Sequence, residues 1–142
     1  MQHTINIGSL ELRFLADETQ GSGNLVMFEM TVPPNARVPA PHHHRDVDEM
    51  VYVLQGTLTM SLDGQKRALG PGDSLFVPRG AVHGFENPGP DTARSLAVLT
   101  PGSIGRRYFE ELAAEINVAG KPDLAKVKDI MLRHGLVPVA PA

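Results

Sequence analysis

Between residues 4 and 100, apolar and polar side chains alternate in short runs, at 4–7, 10–15, 24–32, 49–55, 57–62, 65–69, 74–77, 82–86 and 93–100. A period of two sends successive side chains to opposite faces, so each run predicts a strand with one face turned to a core. Turn-formers stand between the runs: Pro33–Pro34, Gly56, Asp63–Gly64, Gly70–Pro71–Gly72, Pro78–Arg79–Gly80 and Asn87–Pro88–Gly89–Pro90. Glycine supplies positive φ and proline a fixed φ, and Asp63–Gly64 between two alternating runs predicts a tight hairpin. Strands about ten residues apart, with no helical segment between them, predict an antiparallel sandwich or barrel, an all-β fold, rather than a βαβ sheet.

After Pro101 the period lengthens. Phe109, Leu112, Ala113 and Ile116 recur at helical spacing, as do Leu124, Val127, Met131 and His134 in a second segment from Pro122 to Gly135. Two amphipathic helices are therefore expected after the β-rich part. Residues 1–101 form the barrel in this reading, and 102–142 a helical extension packed on it rather than a separate domain. The extension covers an open barrel end, holds a second copy or acts as a lid. The last seven residues read as a tail, and His3 as part of a fraying N-terminus. Arg106, Arg107 and Tyr108 read as a solvated face, or as a reach towards an anionic substrate.

Composition narrows the chemistry. The 142 residues carry 14 Gly and 12 Pro, and the 42% of hydrophobic residues suffices for one packed core. There is no cysteine, so disulfides, thiolate metal sites and thiol nucleophiles are excluded and any metal must be held by nitrogen and oxygen. A net charge of −3 without a basic stripe argues against nucleic acid as the main partner. No stretch approaches the ~18 apolar residues of a membrane span. A cytoplasmic location is the expectation, with a small molecule as the partner.

Four of the six histidines fall in two of the punctuated stretches, His42–His43–His44 and His83. On an extended segment His42 and His44 share one face, about 7 Å apart, and His43 takes the other. Glu49 can add a carboxylate once the chain turns after His44, and His83 would complete the set from a distant strand. Three imidazoles and one carboxylate suit Fe(II), Mn, Ni, Cu or Zn and leave coordination positions open.

These residues carry a resemblance. His42-His43-His44, then four residues, Glu49, six residues and Gly56 are similar to the first cupin motif. Gly72, five residues, Pro78-Arg79-Gly80, Ala81-Val82, His83, three residues and Asn87 are similar to the second. One position departs: Ala36 stands where the family usually has glycine, six residues before His42. The resemblance spans about residues 24–101. It implies a cupin double-stranded β-helix, an antiparallel jelly-roll barrel often found as a homodimer. It also implies that His42, His44, Glu49 and His83 bind one divalent transition metal, Fe(II) being the leading candidate.

Small bacterial cupins with this motif pair are likened to flavonol and diketone dioxygenases. The resemblance therefore implies a dioxygenase-type oxidoreductase acting on a small enolic or phenolic substrate. Glu49 would serve as ligand or as base, with its pKa raised by an apolar pocket. The alternatives are a non-oxidative isomerase or lyase, with Glu49 or His43 moving a proton, and a binding module without turnover. Alternation puts Val51, Val53 and Phe85 on the site's side, Gln55 towards its rim, and either Met27 or Phe28 and Met30 on the strand before the histidines. Asn87 is expected to fix a turn.

Overall fold

A computed structural model describes residues 3–139. Its strands are β1 (His3–Ile7), β2 (Leu10–Ala16), β3 (Val26–Val32), β4 (His42–His44), β5 (Asp48–Gln55), β6 (Leu58–Leu62), β7 (Gln65–Leu69), β8 (Ser74–Val77), β9 (His83–Glu86), β10 (Ala93–Thr100) and β11 (Leu136–Pro138). Helices α1 (Arg106–Ile116) and α2 (Leu124–Arg133) lie between β10 and β11. The strands form two antiparallel sheets, ordered β1-β2-β3-β10-β5-β8 and β11-β4-β9-β6-β7. This is a jelly-roll barrel with two C-terminal helices, and every strand expected from alternation is present within two residues of its predicted bounds.

Alternation builds the core. In β3, Val26, Phe28, Met30 and Val32 are buried while Met27, Glu29 and Thr31 are half-buried outside; β10 repeats the pattern with Ala93, Ser95, Ala97 and Leu99 inward. On the outer face Glu29 is clasped by Arg13 and Arg94. The Asp63–Gly64 hairpin forms as predicted, with φ of 49° and 84°, the paired positive values that a two-residue turn needs to follow the strand twist. Gly56 has φ of 73°, and a Cβ there would lie 2.3 Å from the Thr92 carbonyl, so no larger residue fits.

The ends of the chain depart from expectation in two places. Leu136–Pro138 is a strand, not a tail: it pairs antiparallel with β4, placing Leu136 opposite His44 and Pro138 opposite His42. Proline is accommodated because β11 is the edge strand and Pro138 its last residue. The remainder of the expected tail, 140–142, lies outside the described residues. α2 forms within two residues of its predicted bounds, starting at Leu124 with Asp123 as its N-cap, whose carboxylate accepts the Ala125 and Lys126 N–H groups; of the predicted stripe Met131 is buried and Val127 packs on the core, joined by Ile130, while Leu124 is exposed. At the other end of the chain, His3 is paired in β1 rather than frayed, with its Nε2 2.8 Å from an Arg106 guanidinium nitrogen.

α1 is fastened at both ends. Its N-cap is Gly105, which has no side chain to offer, so the Glu18 carboxylate takes that role and accepts the N–H groups of Arg106 and Arg107 at 2.9 and 3.2 Å. Negative charge at a helix start is favourable. Arg106 in turn donates to Asp17 at 2.9 Å, so it is a structural tie and not a solvated cation. At the other end the Asn117 side chain accepts from Gly8 N–H and donates to the Asn6 carbonyl. No described helix is long and apolar enough to cross a membrane.

Candidate metal centre

β4 is three residues long, and its alternation turns His42 and His44 inward while His43 faces the other side. Backbone pairing sets His42 opposite His83 at the start of β9. The three rings close into a triangle: centroids lie 5.2 Å apart for His42 and His44, and 4.7 Å apart for His42 and His83 and for His44 and His83. All three side chains are buried, and one ligating atom from each lies within 4.8 Å of the others. Among the described residues this is the one group of three or more His, Cys, Asp or Glu side chains so arranged. Glu49 comes from the facing sheet and stands beside the triangle, its Oε1 3.5 Å from His83 Nε2 and 3.9 Å from His44 Nδ1.

Hydrogen bonding orients two of the rings. His42 Nδ1 lies 2.9 Å from the Ala40 carbonyl and His83 Nδ1 3.1 Å from that of Ala81. A carbonyl can only accept, so each Nδ1 carries the proton and each Nε2 keeps its lone pair. His44 Nδ1 is buried with no hydrogen-bond partner. A buried, unpartnered imidazole nitrogen beside two oriented lone pairs and a carboxylate is a donor set that a divalent transition metal satisfies.

The electrostatics favour neutral His42 and His44 and an ionised Glu49, with His83 drawn towards its protonated form by that carboxylate. Burial, and secondarily the neighbouring His83, lowers the pKa of His42, and burial brings His44 down to about 4. Burial also pushes His83 down, but the hydrogen bond and charge of Glu49 and the Ala81 carbonyl outweigh it, and the net shift is upward. For Glu49 burial acts upward, yet the His83 hydrogen bond and the three imidazoles outweigh it and the pKa falls. The raised Glu49 pKa expected from an apolar pocket is thus overturned, because the histidines are its immediate neighbours.

His42, His44, Glu49 and His83 line a cavity of about 80 Å³. Phe28, Met30, Val51 and Phe85 line it as alternation allows, which settles the choice on β3 against Met27. Val53 is buried deeper in the core and does not reach the cavity, while Gln55 is exposed and accepts from Arg94. Asn87 is a turn residue: its buried amide donates to the carbonyls of Val32 and Asp91 and accepts from Gly89. Motif reading missed one wall, made by Ile104, Tyr108, Phe109 and Leu112 from the C-terminal extension and by Leu136. The only signal for it was the apolar stripe of α1.

Comparison with known proteins agrees with this geometry. The cupin domain model matches residues 28–99. Over 90 residues the chain is 33% identical to quercetin 2,3-dioxygenase of Bacillus subtilis (strain 168), which aligns 63% of this chain and 26% of that protein. Over 66 residues it is 36% identical to an uncharacterized protein of Aquifex aeolicus (strain VF5), 46% of this chain and 54% of the other. The chain therefore spans between a quarter and about half of these curated relatives. Among solved structures, the polyketide cyclase RemF from Streptomyces resistomycificus superposes with a TM-score of 0.60 at 31% identity, covering 70% of this chain and 73% of that one. KdgF from Halomonas sp. superposes at 0.59 with 27% identity, over 71% and 86%. With the two motifs folded into one barrel around a three-histidine cluster, the chain belongs to the cupin domain family.

Proposed function

We propose that His42, His44, His83 and Glu49 hold one divalent transition metal, Fe(II) being the leading candidate, and that the protein is a dioxygenase-type oxidoreductase acting on a small enolic or phenolic compound. The observation that carries this reading is the buried triangle of imidazoles, unpartnered at His44 Nδ1, lining an apolar cavity. Similarity to a quercetin dioxygenase over 63% of the chain supports it. A bound ion with open positions would supply Lewis acidity and one-electron chemistry towards O₂.

The chain's own residues do the rest. The Ala40 and Ala81 carbonyls fix the tautomers of His42 and His83 and keep their Nε2 lone pairs available. Glu49, ionised because its neighbours lower its pKa, accepts the proton of an enol or phenol hydroxyl at a carboxylate oxygen. Phe28, Met30, Val51 and Phe85 exclude bulk water and leave few polar atoms to bind a sugar-like substrate.

Similarity to a polyketide cyclase at 31% identity favours a second reading, non-oxidative proton transfer on a carbonyl compound. Anaerobic purification with elemental analysis, followed by oxygen-uptake assays with acetylacetone and simple phenols, separates the two. Stoichiometric oxygen uptake supports the dioxygenase reading. Substrate turnover without oxygen, sustained by Zn or Ni, supports the second, and a metal-loaded protein with neither activity contradicts both for these substrates.

A further inference from the structure

We propose that α1 is a fixed, size-limiting wall of the site, with Phe109 and Leu112 restricting it to compact organic molecules and excluding multi-ring ones. The inference rests on the proposed function in one respect only, that the cavity is where substrate binds.

The first argument is volume. The cavity is about 80 Å³, whereas a dry cavity of about 150 Å³ is what admits a single benzene ring. Any bound metal shares this space, so a multi-ring aromatic does not enter while every wall is seated. The second concerns which wall could yield. Phe28, Met30, Val51 and Met60 stand on strands laced into the two sheets, and withdrawing one breaks a hydrogen-bonded ladder. Phe109 and Leu112 stand on a helix held to the barrel by side chains, so this is the wall on which cavity size can change without disrupting a sheet.

The third argument concerns what holds that helix in place. The Glu18 carboxylate grips two N–H groups at the start of α1, the Asp17–Arg106 pair lies beside it, and Asn117 bridges the end of α1 to the β1–β2 turn. Between these ties the Phe109 ring packs on Phe14 and Phe28, with centroids 5.7 and 5.3 Å away. A helix tied at both ends and wedged in the middle by an aromatic cluster is a wall rather than a lid. It lies beyond residues 28–99, the part matching the cupin domain, so the extension adds a size-limiting wall that the shared barrel does not supply.

The test is titration calorimetry with acetylacetone as the compact probe and quercetin as the bulky one, on the full chain with and without added Co(II). The wild type should bind quercetin at least tenfold more weakly than acetylacetone. Phe109→Ala should tighten quercetin at least tenfold and leave acetylacetone within about threefold. Phe109→Leu, which keeps apolar packing and serves if the alanine variant does not fold, should give an intermediate gain. Wild type and both variants sharing one quercetin-to-acetylacetone ratio would overturn the wall, as would quercetin binding the wild type as tightly as acetylacetone. Folded wild type and Phe109→Ala that both take neither probe would overturn it too. Co(II) stoichiometry in the same samples reports on the metal reading separately, since the probe ratio is also measured without metal.

Discussion

Glu49 Oε1 lies 3.5 Å from His83 Nε2, a carboxylate of one sheet facing an imidazole of the other across the barrel interior. The pair lowers the pKa of Glu49 and raises that of His83, so the proposed ligand is held in its ionised form. Glu49→Gln keeps the shape and removes the charge. It should weaken metal binding by about ten- to a hundredfold, within the range for losing a metal-site partner, while the circular dichroism spectrum stays that of the wild type. Competition with a chelating dye measures the affinity.

Acid should destabilise the metal-free protein through His44. Burial holds this imidazole neutral and lowers its pKa from 6.5 to about 4, so near pH 5 the unfolded chain binds a proton that the folded chain refuses. Its contribution is therefore complete above about pH 6.5 and declines as pH falls towards 4, by up to about 3 kcal/mol. His42 shifts in the same direction. His83, raised by Glu49, acts oppositely: its contribution is present below 6.5 and fades as pH rises through its folded value. Urea midpoints of the metal-free chain at pH 7 and pH 5 should differ, and His44→Gln should narrow the difference.

Asn87 tests whether a residue of the second motif serves the fold or the metal. Its side chain satisfies three backbone groups from a nearly fully buried position. Asn87→Ala should cost roughly 2–3 kcal/mol by leaving buried carbonyls unpaired, with metal stoichiometry unchanged. Equilibrium denaturation together with elemental analysis reads both.

Glu18 tests the anchoring of α1. Glu18→Ala removes the acceptor of two helix N–H groups and should cost about 1–2 kcal/mol. Amide exchange should accelerate first in the opening turn of α1, before the barrel strands respond.

The Asp63–Gly64 hairpin, the inward pair on β4 and the all-β architecture were legible because each follows from local rules: alternation, positive φ at a two-residue turn, and motif spacing. The parts that were not legible depend on distant chain segments. Nothing near Leu136–Pro138 announces a strand, since its pairing partner is β4, some ninety residues earlier. Glu18 looks like a surface acid until α1 arrives to be capped. Leu124 fits a helical stripe, yet it is exposed, and Ile130 joins Met131 in the core. The pKa of Glu49 was misjudged because spacing brings three histidines near it without telling that their field outweighs burial.

Elemental analysis of the anaerobically purified chain beside His44→Ala tests most directly whether the three imidazoles are metal ligands. About one equivalent of a divalent transition metal per wild-type chain, lost in the folded variant, is the predicted result. Unchanged metal content in His44→Ala, or a folded wild type that takes up no metal when supplied with Fe(II), Mn, Ni, Cu or Zn, would contradict it.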